Sequence, residues 1–365
     1  MSVAYTNGKL FTGEKIESNK AVLTDNEIIV GVVNANAIPS QYRTEDLKGF
    51  TLAPAFIDMQ IYGGNGKMFS HELSVESLKA TYEYCLMGGC AHFMITMATN
   101  TIEKFLQGFE VVRAYWQQGG KGLLGLHLEG PYINPVKKGA HLEACVKKPT
   151  IPEVTMLLEK GKDVFKMMTL APEECEESII KLLQQHNIIL SVGHSNATYK
   201  QAMDAFNKGI PAATHLFNAM SPLQHREPGV VGAIMNHSKA MSSIVCDGVH
   251  VDYAAVHIAK KVLQQRLFFI TDAVAETTSG EYQHLFRGDR FALPDGTLSG
   301  SSLTMLQCVK NAVNHVGIPL EEALRMASAY PAQLMANSML GKMEAGYRAD
   351  FVVFDDALEL QRVYC

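Results

Sequence analysis

Residues 123–131 read Leu123-Leu124-Gly125-Leu126-His127-Leu128-Glu129-Gly130-Pro131. An apolar run this short, closed by a carboxylate and a Gly-Pro turn, predicts a strand buried on both faces, as in a parallel sheet. The same pattern recurs at 52–60, 92–99, 164–171, 188–194, 212–217, 243–247 and 267–272. Helical periodicity fills the gaps. Ile179, Leu182 and Leu183 share one face of 178–185, and Asn187 supplies a left-handed stop. Ala202, Ala205 and Phe206 do the same in 199–208, ahead of Gly209. Eight strands, each followed by a helical segment, predict an α/β fold: a TIM-like (β/α)8 barrel over 51–340.

Outside the barrel the pattern changes. The first fifty residues read as short strands joined by turns such as Asn7-Gly8 and Asp25-Asn26. The segment 341–365 is similar, with glycines at 341 and 346 before the apolar run 351–354. Neither end is large enough to bury a core alone, so 1–50 and 341–365 are expected to form one small β-sandwich domain.

Composition narrows the function classes. Hydrophobic residues make up 47% and charged residues 19% of the 365, as in a globular protein with a large core. The formal net charge is -5 and no basic stripe is present, which argues against a nucleic-acid partner. No apolar run reaches the length of a membrane span. Seven cysteines without a CxxC pair, and a start (residues 1–15) lacking a basic and then apolar leader, point to a reduced, cytoplasmic protein.

A barrel carries its chemistry at the C-terminal ends of its strands. There the sequence places Glu129, His194, His215, Asp247 and Asp272. One such residue alone reads as a capping or core side chain. Several together are another matter, because burying a charge costs several kcal/mol (about 3–5 when unpaired) unless it is paired or metal-bound. Two imidazoles and a carboxylate leave an open coordination position, so Glu129, His194 and His215 are the expected metal ligands. A divalent cation lowers the pKa of its water from about 15.7 towards 7. Asp272 is the expected proton shuttle between that water and a leaving amine. His127 lies two residues before Glu129, one layer lower in the barrel, and reads as a core histidine.

Eight segments in order resemble the amidohydrolase superfamily and, within it, the N-acetylglucosamine-6-phosphate deacetylases. They are 126–131 (LHLEGP), 138–141 (KGAH), 193–198 (GHSNAT), 214–220 (THLFNAM), 226–229 (REPG), 247–250 (DGVH), 271–273 (TDA) and 296–301 (GTLSGS). The resemblance implies hydrolysis of the linear amide of N-acetyl-D-glucosamine 6-phosphate, a step of amino-sugar catabolism, by a homodimer. It assigns the metal to Glu129, His194 and His215, and acid/base catalysis to Asp272. His141 matches the group that polarises the scissile carbonyl. Asn218, Ala219, Arg226 and His250 match groups holding the sugar phosphate, and Ala140, Leu298, Ser299 and Gly300 match other sugar contacts.

One departure bears on the metal count. Many amidohydrolases carry His-x-His at the end of strand one, where this chain reads Gln60-Ile61-Tyr62. Strand four offers no lysine at its mouth, since Lys166 lies inside the run. One divalent metal per subunit is therefore expected, zinc first by ligand type, with iron, cobalt or manganese also accommodated. The rivals are another amidohydrolase acting on a phosphorylated amide, and a non-catalytic scaffold of the same fold.

Overall fold

The computed structural model describes residues 2–365. Eight strands lie side by side in chain order, namely β1 (Phe56–Ile61), β2 (Cys90–Ala98), β3 (Leu123–Glu129), β4 (Phe165–Leu170), β5 (Ile189–Val192), β6 (Ala212–Ala213), β7 (Met241–Ile244) and β8 (Leu267–Phe269). From β2 through β8 the pairings are parallel. A parallel bridge between Ile61 and Ala273 brings the two edges together. There the Tyr62 N–H donates to the Ala273 carbonyl at 2.9 Å and the Asp272 N–H to the Gln60 carbonyl at 3.0 Å. The predicted TIM-like barrel is the observed one.

Register decides where the chemistry sits. Ala98 pairs with Glu129, Glu129 with Thr169, and Leu170 with Val192, which in turn pairs with Ala213. The ends of β2 to β6 therefore share one rim, and the loops leaving them face one space. Helix Tyr199–Asn207 fixes one of these loops. The Thr198 hydroxyl accepts from the Gln201 N–H, and the Gln201 side chain accepts from the Thr198 N–H, closing a capping box.

Two features differ from the expected strands. The run at 52–60 is two strands, because Thr51–Pro54 pairs with Lys9–Phe11 and Phe351–Phe354 and only Phe56–Ile61 enters the barrel. Pro54, with no N–H to donate, closes the first of them. Strands five, six and eight also stop before His194, His215 and Asp272, whose φ values of 48°, 37° and 55° lie in the left-handed region. A side chain with a Cβ seldom adopts that conformation, so the chain breaks strand geometry where its candidate ligands stand.

The ends of the chain build two sheets. One has four strands, Ile28–Asn34, Lys20–Asp25, Ser2–Thr6 and Arg43–Asp46. The other has five, Leu360–Tyr364, Phe351–Phe354, Thr51–Pro54, Lys9–Phe11 and Ile16–Glu17. Val3, Val22 and Ile29 of the first sheet share a core with Leu10, Leu52, Phe351 and Val353 of the second. By backbone contacts the chain divides into two compact units: one ends at Asp58 and adds Cys85–His92 and Thr304–Cys365, and the other is Met59–Tyr84 with Phe93–Leu303. Among the described residues no helix is long and apolar enough to cross a membrane.

Candidate active site

Glu129 ends β3 at 1% exposure, and the site is built around its carboxylate. Oε1 lies 3.0 Å from His215 Nε2 and 3.4 Å from His194 Nε2. Oε2 lies 3.1 Å from His141 Nε2 and accepts a hydrogen bond from the Tyr62 hydroxyl. Burial alone would raise the Glu129 pKa, but the imidazoles of His194 and His141 outweigh it and hold the carboxyl well below its ordinary range.

His194 and His215 face each other with their Nε2 atoms 3.1 Å apart. His194 Nδ1 lies 2.8 Å from the Lys137 carbonyl, which can only accept, so the proton sits on Nδ1 and Nε2 keeps its lone pair. His215 Nδ1 is buried without a hydrogen-bond partner among the described residues. Burial would lower the His215 pKa, but Glu129 outweighs this and raises it.

These residues fit a cation. Ligands about 2.0–2.1 Å from a tetrahedral zinc stand roughly 3.4 Å from one another. The separations of 3.0, 3.1 and 3.4 Å among Glu129 Oε1, His194 Nε2 and His215 Nε2 are close to that edge. Ligand atoms of Glu129, His141 and His194 also lie within 4.8 Å of one another, so His141 is a geometric competitor for His215.

Asp272 leaves β8 beside this cluster. Burial raises its pKa, Glu129 adds to the rise, and His215 opposes it. Its Oδ1 accepts from the Gln60 amide at 2.9 Å, and its Oδ2 is 4.0 Å from His250 Nε2. His250 is oriented by Asp247, whose Oδ2 is 2.6 Å from Nδ1 and whose Oδ1 accepts the Val249 and His250 N–H groups at 2.8 and 2.7 Å. Burial would raise the Asp247 pKa, yet these bonds hold it down. His141 is buried, and its pKa is lowered to about 4 by burial and by the neighbouring His194, so the ring is neutral at pH 7.

The cluster opens into a cavity of about 150 Å³, lined by Glu129, His141, His194, His215, Asp272, Ala140, Asn218, Ala219, His250, Leu298, Ser299 and Gly300. Ala219, at φ 48°, belongs to the bent segment that follows His215. Leu298–Ser301 forms a small sheet with Arg290–Ala292 and Leu285–Phe286, and the Ser301 N–H ties it to the Asp272 carbonyl at 3.0 Å. Arg226 is the exception. It stands exposed on the segment between Ser221 and helix Gly229–Asn236, outside the wall of this cavity. His127 is a core residue, fully buried with Nε2 2.8 Å from Thr169 Oγ1.

Other wall residues escaped the sequence reading. Gln60 and Tyr62 entered it only as poor metal ligands. Here the Gln60 amide stands 3.0 Å from Glu129 Oε1 and 2.8 Å from the Tyr62 hydroxyl, so both serve the carboxylates as hydrogen-bond donors. Their i, i+2 spacing at the end of β1 is the signal that places both on one face. Met68, Val274 and Tyr282 form an apolar wall with Tyr62 and Ala98, and His284 joins the lining. Nothing in the local sequence marks these residues.

Comparison with known proteins agrees with this fold. The amidohydrolase family model matches residues 51–364, and the NagA composite domain matches 3–52. The chain is 37% identical over 366 residues, covering 97% of this chain and 95% of the relative, to the N-acetylglucosamine-6-phosphate deacetylase of Haemophilus influenzae. It is 31% identical, with 86% of each chain covered, to the N-acetylgalactosamine-6-phosphate deacetylase of Escherichia coli O157:H7. The crystal structure of N-acetylglucosamine-6-phosphate deacetylase from Pasteurella multocida superposes with a TM-score of 0.95 at 34% identity, covering 100% of this chain and 98% of that one. With a barrel rim that gathers a carboxylate, three imidazoles and a buried aspartate, and a family model spanning most of its length, this chain belongs to the amidohydrolase family.

Proposed function

We propose that the protein is a metal-dependent deacetylase that hydrolyses N-acetyl-D-glucosamine 6-phosphate to D-glucosamine 6-phosphate and acetate. The observation that carries this reading is Glu129, His194, His215 and Asp272 meeting in one cavity, in a chain so similar over its length to the H. influenzae deacetylase. Glu129, His194 and His215 would hold one divalent cation, which when bound supplies Lewis acidity towards water and a carbonyl oxygen. Zinc suits the two imidazoles and carboxylate, and iron, cobalt and manganese are accommodated. Gln60 and Tyr62 put an amide and a phenol where a second cation would need ligands, which supports one metal per subunit.

The chain's own groups then divide the work. Asp272, its pKa raised, takes a proton from the attacking water and delivers it to the departing nitrogen. The neutral His141 donates to the carbonyl oxygen as negative charge develops there. Asn218, Ala219 and His250 hold the sugar phosphate on one side, and Ala140 with Leu298, Ser299 and Gly300 contacts the sugar on the other. Exposed Arg226 belongs, in this reading, to the phosphate site of a neighbouring copy in a homodimer. The protein acts in the cytoplasm, with no nucleic-acid or membrane partner.

A second reading has its own support, because the E. coli relative acts on the galacto epimer. Acetate release from N-acetylglucosamine 6-phosphate, its galacto epimer and the unphosphorylated sugar separates the readings. The proposal expects the gluco 6-phosphate to have the highest kcat/KM; preference for the epimer or for unphosphorylated sugar would overturn the assignment.

A further inference from the structure

The imidazole of His141 meets one residue twice. Thr99 follows β2 and is completely buried; its backbone N–H donates to His141 Nδ1 at 3.2 Å, and its Oγ1 lies 2.7 Å from the same nitrogen. A backbone amide has only a proton to offer. Nδ1 must therefore accept, and in a neutral ring the proton then resides on Nε2. The far side of the ring agrees, since Nε2 faces Glu129 Oε2, an acceptor, at 3.1 Å.

His194 is wired in the opposite sense. Its Nδ1 donates to the Lys137 carbonyl at 2.8 Å, so its Nε2 is a lone pair. The two rings, with centres 4.1 Å apart, thus present Nε2 to the same space in opposite states, protonated on His141 and bare on His194. One offers a ligand and the other a donor. Thr99 is itself braced: its carbonyl accepts from the Tyr282 hydroxyl at 2.7 Å, and that hydroxyl accepts from the Leu142 N–H, next to His141, at 3.2 Å. The Thr99 hydroxyl has an alternative acceptor in the Glu129 carbonyl at 3.3 Å, but the contact to Nδ1 is much the shorter.

We propose that Thr99 is a positioning residue that fixes His141 as its Nε2–H tautomer, making that ring a hydrogen-bond donor and withdrawing it from the cation's ligands. The catalytic half of this inference rests on the deacetylase reading, which gives the Nε2–H a carbonyl oxygen to polarise. The tautomer itself does not depend on that reading.

The test labels histidine with 15N and records two-bond 1H–15N correlations on the zinc-loaded and metal-free protein. The His141 signal is assigned by its loss in His141→Gln. The wild type is expected to show a bare Nδ1 and a protonated Nε2 in both states. Thr99→Val keeps the shape and the backbone N–H but removes the hydroxyl; the bare Nδ1 should persist, because the N–H still donates to it, while loss of the shorter contact loosens the ring and lowers kcat about tenfold at unchanged KM, the size of one lost hydrogen bond. Thr99→Ser restores the hydroxyl and should restore kcat. A protonated Nδ1 in the wild type or in Thr99→Val overturns the proposal, as does Thr99→Val with wild-type kcat. If instead His141→Gln turns over at the wild-type rate while Nδ1 of the wild type is bare, the catalytic role of His141 falls and the hold of Thr99 on its ring stands.

Discussion

Replacing Tyr62 by Phe removes one oxygen from the site and leaves the ring in its apolar wall beside Met68, Ala98, Val274 and Tyr282. What is lost is the hydroxyl that donates to Glu129 Oε2. The residue is 7% exposed, so water does not readily replace that donor. A hydrogen bond to a charged group contributes about 1.5–3 kcal/mol, and each 1.4 kcal/mol or so is a factor of ten. Glu129 keeps the Gln60 amide at 3.0 Å on Oε1 and His141 at 3.1 Å on Oε2, so the carboxylate stays in place with one donor fewer. The expected result is a loss of about 10- to 100-fold in metal affinity, the range found when a group orienting a ligand is removed. Competition against a chromogenic chelator, titrated with zinc on metal-free protein, reads this directly. Wild-type affinity in Tyr62→Phe would show that the phenol does not orient Glu129, and the account of Gln60 and Tyr62 as donors to the carboxylates would fail.

Three further outcomes are expected. His141→Asn should lower kcat by about 10²–10³ with little change in KM, the usual cost of one oxyanion donor, and steady-state acetate release checks it; a change confined to KM would remove His141 from the chemistry. Asp272→Asn should abolish turnover and keep the metal, because the role proposed for Asp272 is to move protons; elemental analysis beside activity decides, and near-normal rates would exclude that role. Arg226→Ala should raise KM for the 6-phosphate and leave the unphosphorylated sugar alone, whereas an equal loss on both would count against a phosphate contact.

The barrel was legible because buried parallel strands leave a signal no other element leaves so often: short apolar runs at regular intervals, each closed by a polar residue. Glu129, His194, His215 and Asp272 were legible for the same reason, since an ionisable group at the end of such a run needs a partner. Where the runs ended was less clear. His194 and Asp272 look like strand residues in sequence, but their positive φ sets them just past the last ladder pair. Pro54 and Ala55 hid the division between Thr51–Pro54 and β1, because both segments are apolar.

Side chains that act through another residue were harder to see. Thr99 is an ordinary threonine at the end of an apolar run, and only the fold brings it to His141, forty-two positions away. Tyr282 and His284 come from a segment without periodicity, and tertiary placement alone makes them part of the wall. Arg226 is a different case. A motif put it at the site, but its exposed position shows that sequence spacing does not fix which cavity, or whose, a loop residue serves.

The count of metal ions per chain, by elemental analysis of fully active protein before and after chelation, tests the central claim most directly. The account predicts one divalent ion per chain, lost together with acetate release on chelation and regained together on adding zinc. Full activity without bound metal would contradict it.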